Sequence, residues 1–313
     1  MIDFRYHLVS LIAVFLAVAL GIVIGTTQLN GRVLDGLEGE VGTLTEEKDS
    51  LEAQNESLTA ELNQDDAFDD AVAPLIVANR LVGSSVLLIV TSEDVSAEVV
   101  GQTTTLLQAS GAELSGTLRL QPEFTDPQNA AELQEFVTGP GLPAGITLPR
   151  TDETAALVAS LLSQVLMRPA DGGEGPPQAS TTNVLAGLAA LGVVTSDSGE
   201  VGSADYALIL TGEGFTGEDA EARSRALVTL AVNLDSAGSG GVVAGDANSA
   251  GDGGLVAALR NDASAASSVS TVNNVDAASG QVAALLALTA ERTGESGNYG
   301  VGEGTVPLPS LGP

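Results

Sequence analysis

The chain opens with an apolar run. No residue from Leu8 to Gly31 is charged, and residues 8–25 are almost wholly apolar. Eighteen helical residues rise about 27 Å, close to the hydrocarbon thickness of a bilayer. The run is longer than the apolar core of a typical signal peptide, and no convincing Ala-x-Ala cleavage motif follows it. We therefore predict an uncleaved transmembrane signal anchor over residues 8–29, with a cleaved signal peptide as the alternative.

The two sides of this run differ in charge, and the difference predicts its orientation. Arg5 lies on the short N-terminal side, whereas the long C-terminal side is strongly acidic. Positive charge tends to stay in the cytoplasm and long domains translocate readily, so residues 1–7 are expected inside and the rest exported. Within the run, Ala17, Gly21 and Gly25 form a small-xxx-small ridge of the kind that lets membrane helices pack closely.

A heptad pattern follows the apolar run and predicts a coiled coil over residues 30–73. Spacings of three and four continue without a break through four heptads, which is a strong coiled-coil signal. We call this set the leucine seam: Leu34, Leu37, Val41, Leu44, Lys48, Leu51, Asn55, Leu58 and Leu62. Lys48 and Asn55 occupy a positions, where a polar residue sets register and strand number at a cost in stability. A single amphipathic helix lying on the globular domain is the alternative.

The positions flanking the seam contain five glutamates and no basic residue. In a parallel homodimer, Glu47 of one chain would face Glu52 of the other, and the two would repel. Gly36, Gly39 and Gly42 each lower helix stability by about 1 kcal/mol relative to Ala. These features predict a marginal homodimer and fit a partner helix with basic flanks. The general acidity of the chain explains the same flanks equally well.

Beyond position 74, segments with the composition of strands alternate with segments of helical spacing. We predict strands at residues 86–90, 113–120, 206–210, 241–244 and 269–272, and helices at residues 95–109, 153–167, 182–191, 218–235 and 279–292. This alternation indicates an α/β fold with an open, mostly parallel sheet and flanking helices. Residues 74–295 are therefore predicted to form the exported domain, and residues 296–313 an irregular C-terminal tail.

Charge and residue inventory exclude several classes of partner and cofactor. The chain has 41 acidic and 11 basic residues and a net charge of −30, which argues against nucleic acid and anionic lipid as partners. It contains no cysteine, His7 is its one histidine, and Met167 is its one methionine after Met1. Disulfides, zinc sites, thiol nucleophiles and Cu(I) cages of sulfur and imidazole are therefore not expected, and we predict no cofactor.

The loops that could carry chemistry are weak candidates. Residues 91–94 follow the first strand without a glycine-rich phosphate loop, so a dinucleotide site is not expected. Because His7 is the one histidine, the exported domain cannot hold a Ser-His-Asp triad. The loop at residues 245–254 could hold an anion or a weakly bound calcium ion, although a plain glycine-rich turn is the simpler interpretation. The acidic cluster at residues 65–70 lacks the spacing of a calcium loop. We predict no enzymatic activity.

Stretches at both ends of the chain resemble a known family. They are the opening DFRYHLVSLIAVFLAVALGIVIGT, with the heptads after it, and the segment STVNNVDAASGQVAALLALTAERTGESGNYGVG. They are similar to the copper transporter MctB family, which includes SteB-type cell-envelope proteins. The resemblance spans nearly the whole chain, and its most specific parts are the anchor and residues 270–302.

The resemblance implies two different functions. The SteB-type members imply a membrane-anchored coiled-coil protein that pairs with a second membrane protein, SteA, and thereby influences peptidoglycan hydrolase activity at cell separation. The family name implies copper efflux or copper homeostasis, but Cu(I) selects thiolate, thioether and imidazole ligands and the exported part offers only Met167. We expect the scaffold function, in the cytoplasmic membrane, with a possible homodimer; copper homeostasis is the alternative.

Overall fold

The computed structural model describes residues 4–197 and 199–310. Within the first helix, the side chains described are those of residues 6–26, residue 37 and residues from 39 onward. The chain divides into two compact units, of which the first ends at Asp65 and the second begins at Asp66. We describe the two units separately.

The first helix, α1 (Phe4–Val77), is 74 residues long. Its segment Tyr6–Thr26 has 21 residues and a mean hydropathy of 2.9, enough by length and composition to cross a bilayer. Leucine, glutamate, glutamine and alanine are common in the rest of α1, and these residues lose little freedom in a helix. The prediction of an N-terminal apolar helix is confirmed.

Helix α1 does not end at residue 73, the predicted end of the coiled coil, but continues through Pro74 to Val77. A proline inside a helix removes one backbone hydrogen bond and crowds the preceding turn. Here the last turns of α1 belong to the second unit, where Ala73 and Val77 are buried in the core. Burial of that face offsets the cost of the proline, which sequence alone did not indicate.

The described part of the second unit is built on a sheet of seven strands in the order β3-β2-β1-β4-β5-β6-β7. The strands are β1 (Ser85–Val90), β2 (Glu113–Leu120), β3 (Val194–Ser196), β4 (Tyr206–Thr211), β5 (Gly241–Gly245), β6 (Ser270–Val272) and β7 (Asn298–Tyr299). All neighbouring pairs are parallel except β2 with β3. The predicted α/β class with a parallel-rich sheet is confirmed.

Helices cover both faces of this sheet. They are α2 (Ala97–Ala109), α3 (Ala130–Thr138), α4 (Thr154–Leu166), α5 (Gln178–Ala190), α6 (Ala220–Ala237), α7 (Leu255–Asn261) and α8 (Ala278–Glu291). Strand β1 is buried throughout: Leu87 and Ile89 pack with α3 to α7 on one face. Val86, Leu88 and Val90 pack with α2, α8 and the end of α1 on the other. This explains why β1 is continuously apolar rather than alternating.

The sequence pattern missed four short elements, namely α3, β3, α7 and β7. Strand β3 has three residues and α7 has seven, so neither is long enough to establish a period. Strand β7 lies in the segment predicted to be an irregular tail, so that prediction fails at Asn298 and Tyr299. These residues pair with β6, and Val306 bridges to the outer side of Tyr299. Pairing across the sheet, rather than a local pattern, makes this segment a strand.

Candidate functional site

The leucine seam is exposed to solvent in the described part of α1. Its apolar members Leu37, Val41, Leu44, Leu51, Leu58 and Leu62 are 51–65% exposed. The side chain of Leu34 lies outside the described residues. Large exposed aliphatic side chains repeated along one helical face are typical of a surface that packs against another chain. The structure holds a single chain, so the coiled coil itself stays a prediction.

The two polar seam residues make contacts within their own helix. The Lys48 ammonium lies 2.5 Å from a carboxylate oxygen of Glu52, one turn later, and both side chains are exposed. The Thr59 hydroxyl donates a hydrogen bond to the Asn55 side-chain oxygen at 3.5 Å. Exposed pairs of this kind contribute about 0.3–0.5 kcal/mol. The Lys48 pair also neutralises Glu52 locally, so the repulsion between Glu47 and Glu52 of two chains would be weaker than the sequence suggests.

The small-residue ridge of the apolar run lies open on the helix surface. A Cβ atom placed on Gly21 or Gly25 would meet nothing within 4 Å. Ala17 lies one turn before Gly21 on the same face, and its side chain is exposed. The ridge therefore leaves room for the close approach of another membrane helix.

The loops at the usual ligand position of this fold lie close together. In open α/β sheets, ligands bind beyond the carboxyl ends of the strands at the point where the strand order reverses, here between β1 and β4. After β1, the Ser92 hydroxyl donates to the Asp94 carboxylate at 2.9 Å. A Cβ atom on Gly212, after β4, would lie 2.9 Å from the Asp94 Cβ and 3.1 Å from the Ser92 hydroxyl. The loop after β1 thus packs closely against Gly212 at this point.

The glycine-rich loop after β5 forms a capped turn. Asp246 caps a short 3-10 helix, and its carboxylate accepts a hydrogen bond from the Ser249 amide at 3.0 Å. The Asn248 side-chain amide donates to the other Asp246 oxygen at 3.0 Å. Both carboxylate oxygens are therefore used inside the loop. This geometry agrees with the simpler interpretation of a plain turn.

A row of carboxylates lies at the opposite edge of the sheet, where the parallel strands begin. Asp205 accepts hydrogen bonds from the Ser85 amide at 2.7 Å and from the Ser85 hydroxyl at 2.8 Å. The Arg168 guanidinium lies 3.6 Å from the other Asp205 oxygen. Since Ser85 starts β1 and Asp205 directly precedes β4, this contact fixes two neighbouring strands to each other.

Two further carboxylates belong to this row: Asp235, which is half-buried, and Glu291, which is buried. Asp235 accepts a hydrogen bond from the Gly241 amide at 2.8 Å, and the Ser270 hydroxyl donates to Glu291 at 2.5 Å. Burial raises the pKa of Asp235 from 3.8 to about 6. Burial also raises the pKa of Glu291 from 4.5 to about 7, with a smaller contribution from the Asp235 charge and an opposing one from Ser270. Sequence reasoning missed this row because its three carboxylates, Asp205, Asp235 and Glu291, lie far apart along the chain.

The described residues contain no group of three or more His, Cys, Asp or Glu side chains placed to hold a metal ion. Met167, the one thioether of the second unit, is 2% exposed and directly follows α4. Its methyl group packs against Gly238, where a Cβ atom would clash with it. Met167 therefore lies in the packed core.

A groove also went unnoticed in the sequence. It has a volume of about 300 Å³ and lies in the second unit between α1, α8 and the chain end. We call it the α1–α8 groove; its lining residues are Asp69, Val72, Ala73, Ile76, Asn274, Ser279, Val282, Gly300, Val301, Pro307 and Leu308. Three segments distant in sequence form it, so only their packing reveals it. The one sequence signal is that Asp69, Val72 and Ile76 continue the a and d spacing of the seam.

One N-terminal apolar helix, consistent with membrane anchoring, and a parallel-rich α/β domain define the class of this protein. A family model described as "Copper transport outer membrane protein, MctB" matches residues 1–309. The copper transporter MctB of Mycobacterium tuberculosis is 33% identical over 310 residues, which cover 98% of both chains. That of Mycobacterium leprae is 33% identical over 317 residues, covering 98% of this chain and 99% of the relative. The chain belongs to the MctB family.

The family assignment confirms the resemblance seen in the sequence. The names of the relatives agree better with copper homeostasis, which was the alternative, than with cell separation. The family description names an outer membrane rather than the cytoplasmic membrane that the sequence analysis predicts. The N-terminal apolar helix is consistent with membrane anchoring.

Proposed function

We propose that this protein is a membrane-anchored, non-enzymatic adaptor of the cell envelope that serves copper homeostasis by holding a partner protein. The copper role is proposed from relatives named copper transporters, which match this chain at 33% identity over 98% of its length. The observation that carries the adaptor role is the exposed leucine seam of α1, which offers six large aliphatic side chains to another helix.

Chemistry favours an adaptor over a copper-binding domain. Cu(I) is held by thiolate, thioether and imidazole ligands. The sequence beyond the apolar run has neither cysteine nor histidine, and its one methionine, Met167, is buried in the core. Copper handling by this chain would therefore act through a protein that the chain positions.

The same proposal includes a topology. The apolar segment would anchor the chain in the cytoplasmic membrane, with residues 1–7 inside and the α/β unit exported. Arg5 on the short side and the strong negative charge of the long side support this orientation.

A second candidate function is the control of peptidoglycan hydrolase activity during cell separation, with a SteA-like membrane protein as the partner. Its support is the similarity to SteB-type proteins and the acidic flanks of the seam, which suit a more basic partner helix. Both candidates require the seam, and they differ in the phenotype that its loss produces.

A complementation experiment tests the adaptor role. In a strain lacking the gene, Leu44, Leu51 and Leu58 of the seam are replaced together by serine. The matched control places serine at Glu46, Ala53 and Ala60, which lie on the opposite face of α1. We expect the seam variant to be as copper-sensitive as the deletion strain and the control to behave as wild type. Chained cells with normal copper tolerance would favour the second candidate, and full function of the seam variant would contradict both.

A titration tests the absence of copper ligation. We expect the full-length protein in detergent not to withdraw Cu(I) from a chromogenic chelator, because its described α/β unit offers no accessible sulfur or imidazole ligand. Buffer with detergent alone is the blank, and the Met167→Leu variant is the control. One-to-one binding that the Met167→Leu change abolishes would contradict the adaptor proposal and assign copper to that site.

A further inference from the structure

The α1–α8 groove is apolar inside and acidic around its walls. Its apolar lining includes Val72, Ile76, Val282, Val301 and Leu308, and Asp69 is the one charged residue among those that line it. The wall segments at residues 66–79, 273–282 and 300–308 contain five acidic residues and no basic residue. Ile76 and Val301 are 38% and 55% exposed. An apolar surface of this kind, ringed by one sign of charge, is suited to an apolar segment with flanks of the opposite sign.

The spacing along the helical wall favours a helix as the occupant. Asp69, Val72, Ala73 and Ile76 of α1 follow one another at the i, i+3, i+4 and i+7 positions of one helical face. Such a ridge packs against the side-chain rows of another helix.

Charge distinguishes among the occupants that this shape admits. The seam of a second copy has acidic flanks and would be repelled by the acidic walls. An anionic lipid headgroup would be repelled as well. A helix with lysine or arginine beside its apolar face would instead be attracted.

We propose that the α1–α8 groove is a docking site for an amphipathic, basic helix of a protein partner. The docked helix places its apolar side chains between Ile76 and Val301 and its basic side chains against the aspartates of residues 66–70. This inference goes beyond the proposed function, because it concerns the α/β unit and holds whether or not the leucine seam pairs.

A peptide titration on the full chain tests the proposal. The chain has no cysteine, so an Ala71→Cys change on the exposed side of α1 gives a single site for an environment-sensitive dye. The protein is held in phosphatidylcholine nanodiscs, which carry no net charge. The probe is a helical peptide of leucine and lysine of about 14 residues, since shorter isolated helices are marginal. Its counterpart has glutamate in place of every lysine.

We expect the lysine peptide to bind and the glutamate peptide not to bind, with affinity that falls as salt is added. Ile76→Glu or Val301→Glu should raise the Kd about tenfold or more, a change typical of a central contact. Leu75→Glu is the matched control: it adds the same charge to α1 at a side chain that is 73% exposed and outside the groove. Its Kd should stay close to that of wild type. The seam variant should keep the binding, so failure here is separable from failure of the adaptor role.

Three results would overturn the proposal. Equal binding of both peptides would show partition without charge recognition, and equal loss in Leu75→Glu and Ile76→Glu would place the binding outside the groove. Binding only after the chain is shortened to end at Leu308 would assign the groove to the chain's own C-terminus.

Discussion

Close packing around one glycine decides how α8 meets the loop before it. A Cβ atom on Gly280 would overlap the carbonyl oxygen of Asn274. Because that oxygen belongs to the backbone, the clash cannot be relieved by turning a side chain. Gly280 is buried in the third position of α8, where the chain cannot move without shifting the helix. Gly101 differs: it lies exposed in the middle of α2, and a Cβ atom there would meet nothing within 4 Å. The same residue type thus has a packing role at one position and only an entropic cost at the other.

These two glycines give opposite predictions. Gly280→Ala should destabilise the α/β unit by about 1–3 kcal/mol, the usual cost of overpacking. Gly101→Ala should stabilise it by about 0.5–1 kcal/mol, because alanine has the higher helix propensity. Urea unfolding of the full chain in detergent, followed by circular dichroism, measures both. A Gly280→Ala variant as stable as wild type would show that the Asn274 loop can move aside.

The buried carboxyl of Glu291 links stability to pH. Its pKa is about 7 in the folded chain, against an ordinary value of 4.5. Between these values the folded state keeps the proton that the unfolded state has lost. This contribution to stability is therefore fully present below about pH 4.5 and is lost as the pH rises through about 7. Asp235, whose pKa is raised from 3.8 to about 6, acts in the same direction.

We expect the melting temperature of the wild type to fall from about pH 5 to about pH 8 more steeply than that of Glu291→Gln, because glutamine does not ionise. The side-chain oxygen of this glutamine can still accept the hydrogen bond from Ser270. Glu132→Gln, on the exposed face of α3, removes the same charge without burial and should keep the wild-type slope. Thermal unfolding at constant salt measures all three, and identical slopes would contradict the assigned role of Glu291.

At the scale of the element, α1 contributes to two different surfaces along its length. From Leu37 to Leu62 its apolar a and d residues are exposed. Beyond Asp65 the same spacing places Asp69, Val72 and Ile76 in the lining of the α1–α8 groove. A coiled-coil partner would therefore pair with the seam up to Leu62. The polar residues Lys48 and Asn55 lie within this stretch and decide how strongly it pairs with itself.

Replacing Lys48 and Asn55 by leucine should restore a continuous apolar seam and stabilise the homodimer by a few kcal/mol, on the order of one buried side chain each. If the natural partner is a more basic helix, the same change should trap the protein with itself and weaken that pairing. Sedimentation of the full chain in detergent measures the first effect, and co-purification of the partner measures the second.

The wild-type chain is the reference for this pair of measurements. A tight wild-type homodimer at micromolar concentration, unaffected by salt and pH, would contradict the prediction of a marginal homodimer. The acidic flanks of the seam would then reflect only the general surplus of carboxylates in this chain.

At the scale of the whole molecule, the distribution of charge separates a short N-terminus, in which Asp3 offsets Arg5, from a long acidic remainder. The apolar segment Tyr6–Thr26 lies between them. If this segment is an uncleaved anchor, the mature protein should begin near Met1 and sediment with membranes. Protease added outside spheroplasts should digest the α/β unit and spare an N-terminal tag, with a cytoplasmic protein as the control for lysis. A mature N-terminus near residue 26 would identify a cleaved signal peptide instead.

Much of the architecture could be predicted from the local periodicity of the sequence. Strand β2 was predicted at the observed residues, 113–120, because Gly111 marks its start and the following residues have the composition of a strand. The apolar helix was predictable because hydrophobicity over about 20 residues needs no tertiary context. The leucine seam is visible for the same reason, since its spacing repeats within one helix. Each of these features is encoded by residues that are close together in the chain.

Only the tertiary structure decided the features that depend on residues far apart. Pro74 stays helical because Ala73 and Val77 are buried in the second unit, and β7 exists because β6 lies beside it. The contact of Asp205 with Ser85 joins residues 120 positions apart, and the α1–α8 groove joins three separate segments. A sequence period reports which side of an element is buried, but not which element covers it. Burial against a distant segment therefore determined where α1 ends, which carboxylates are buried and where the groove lies.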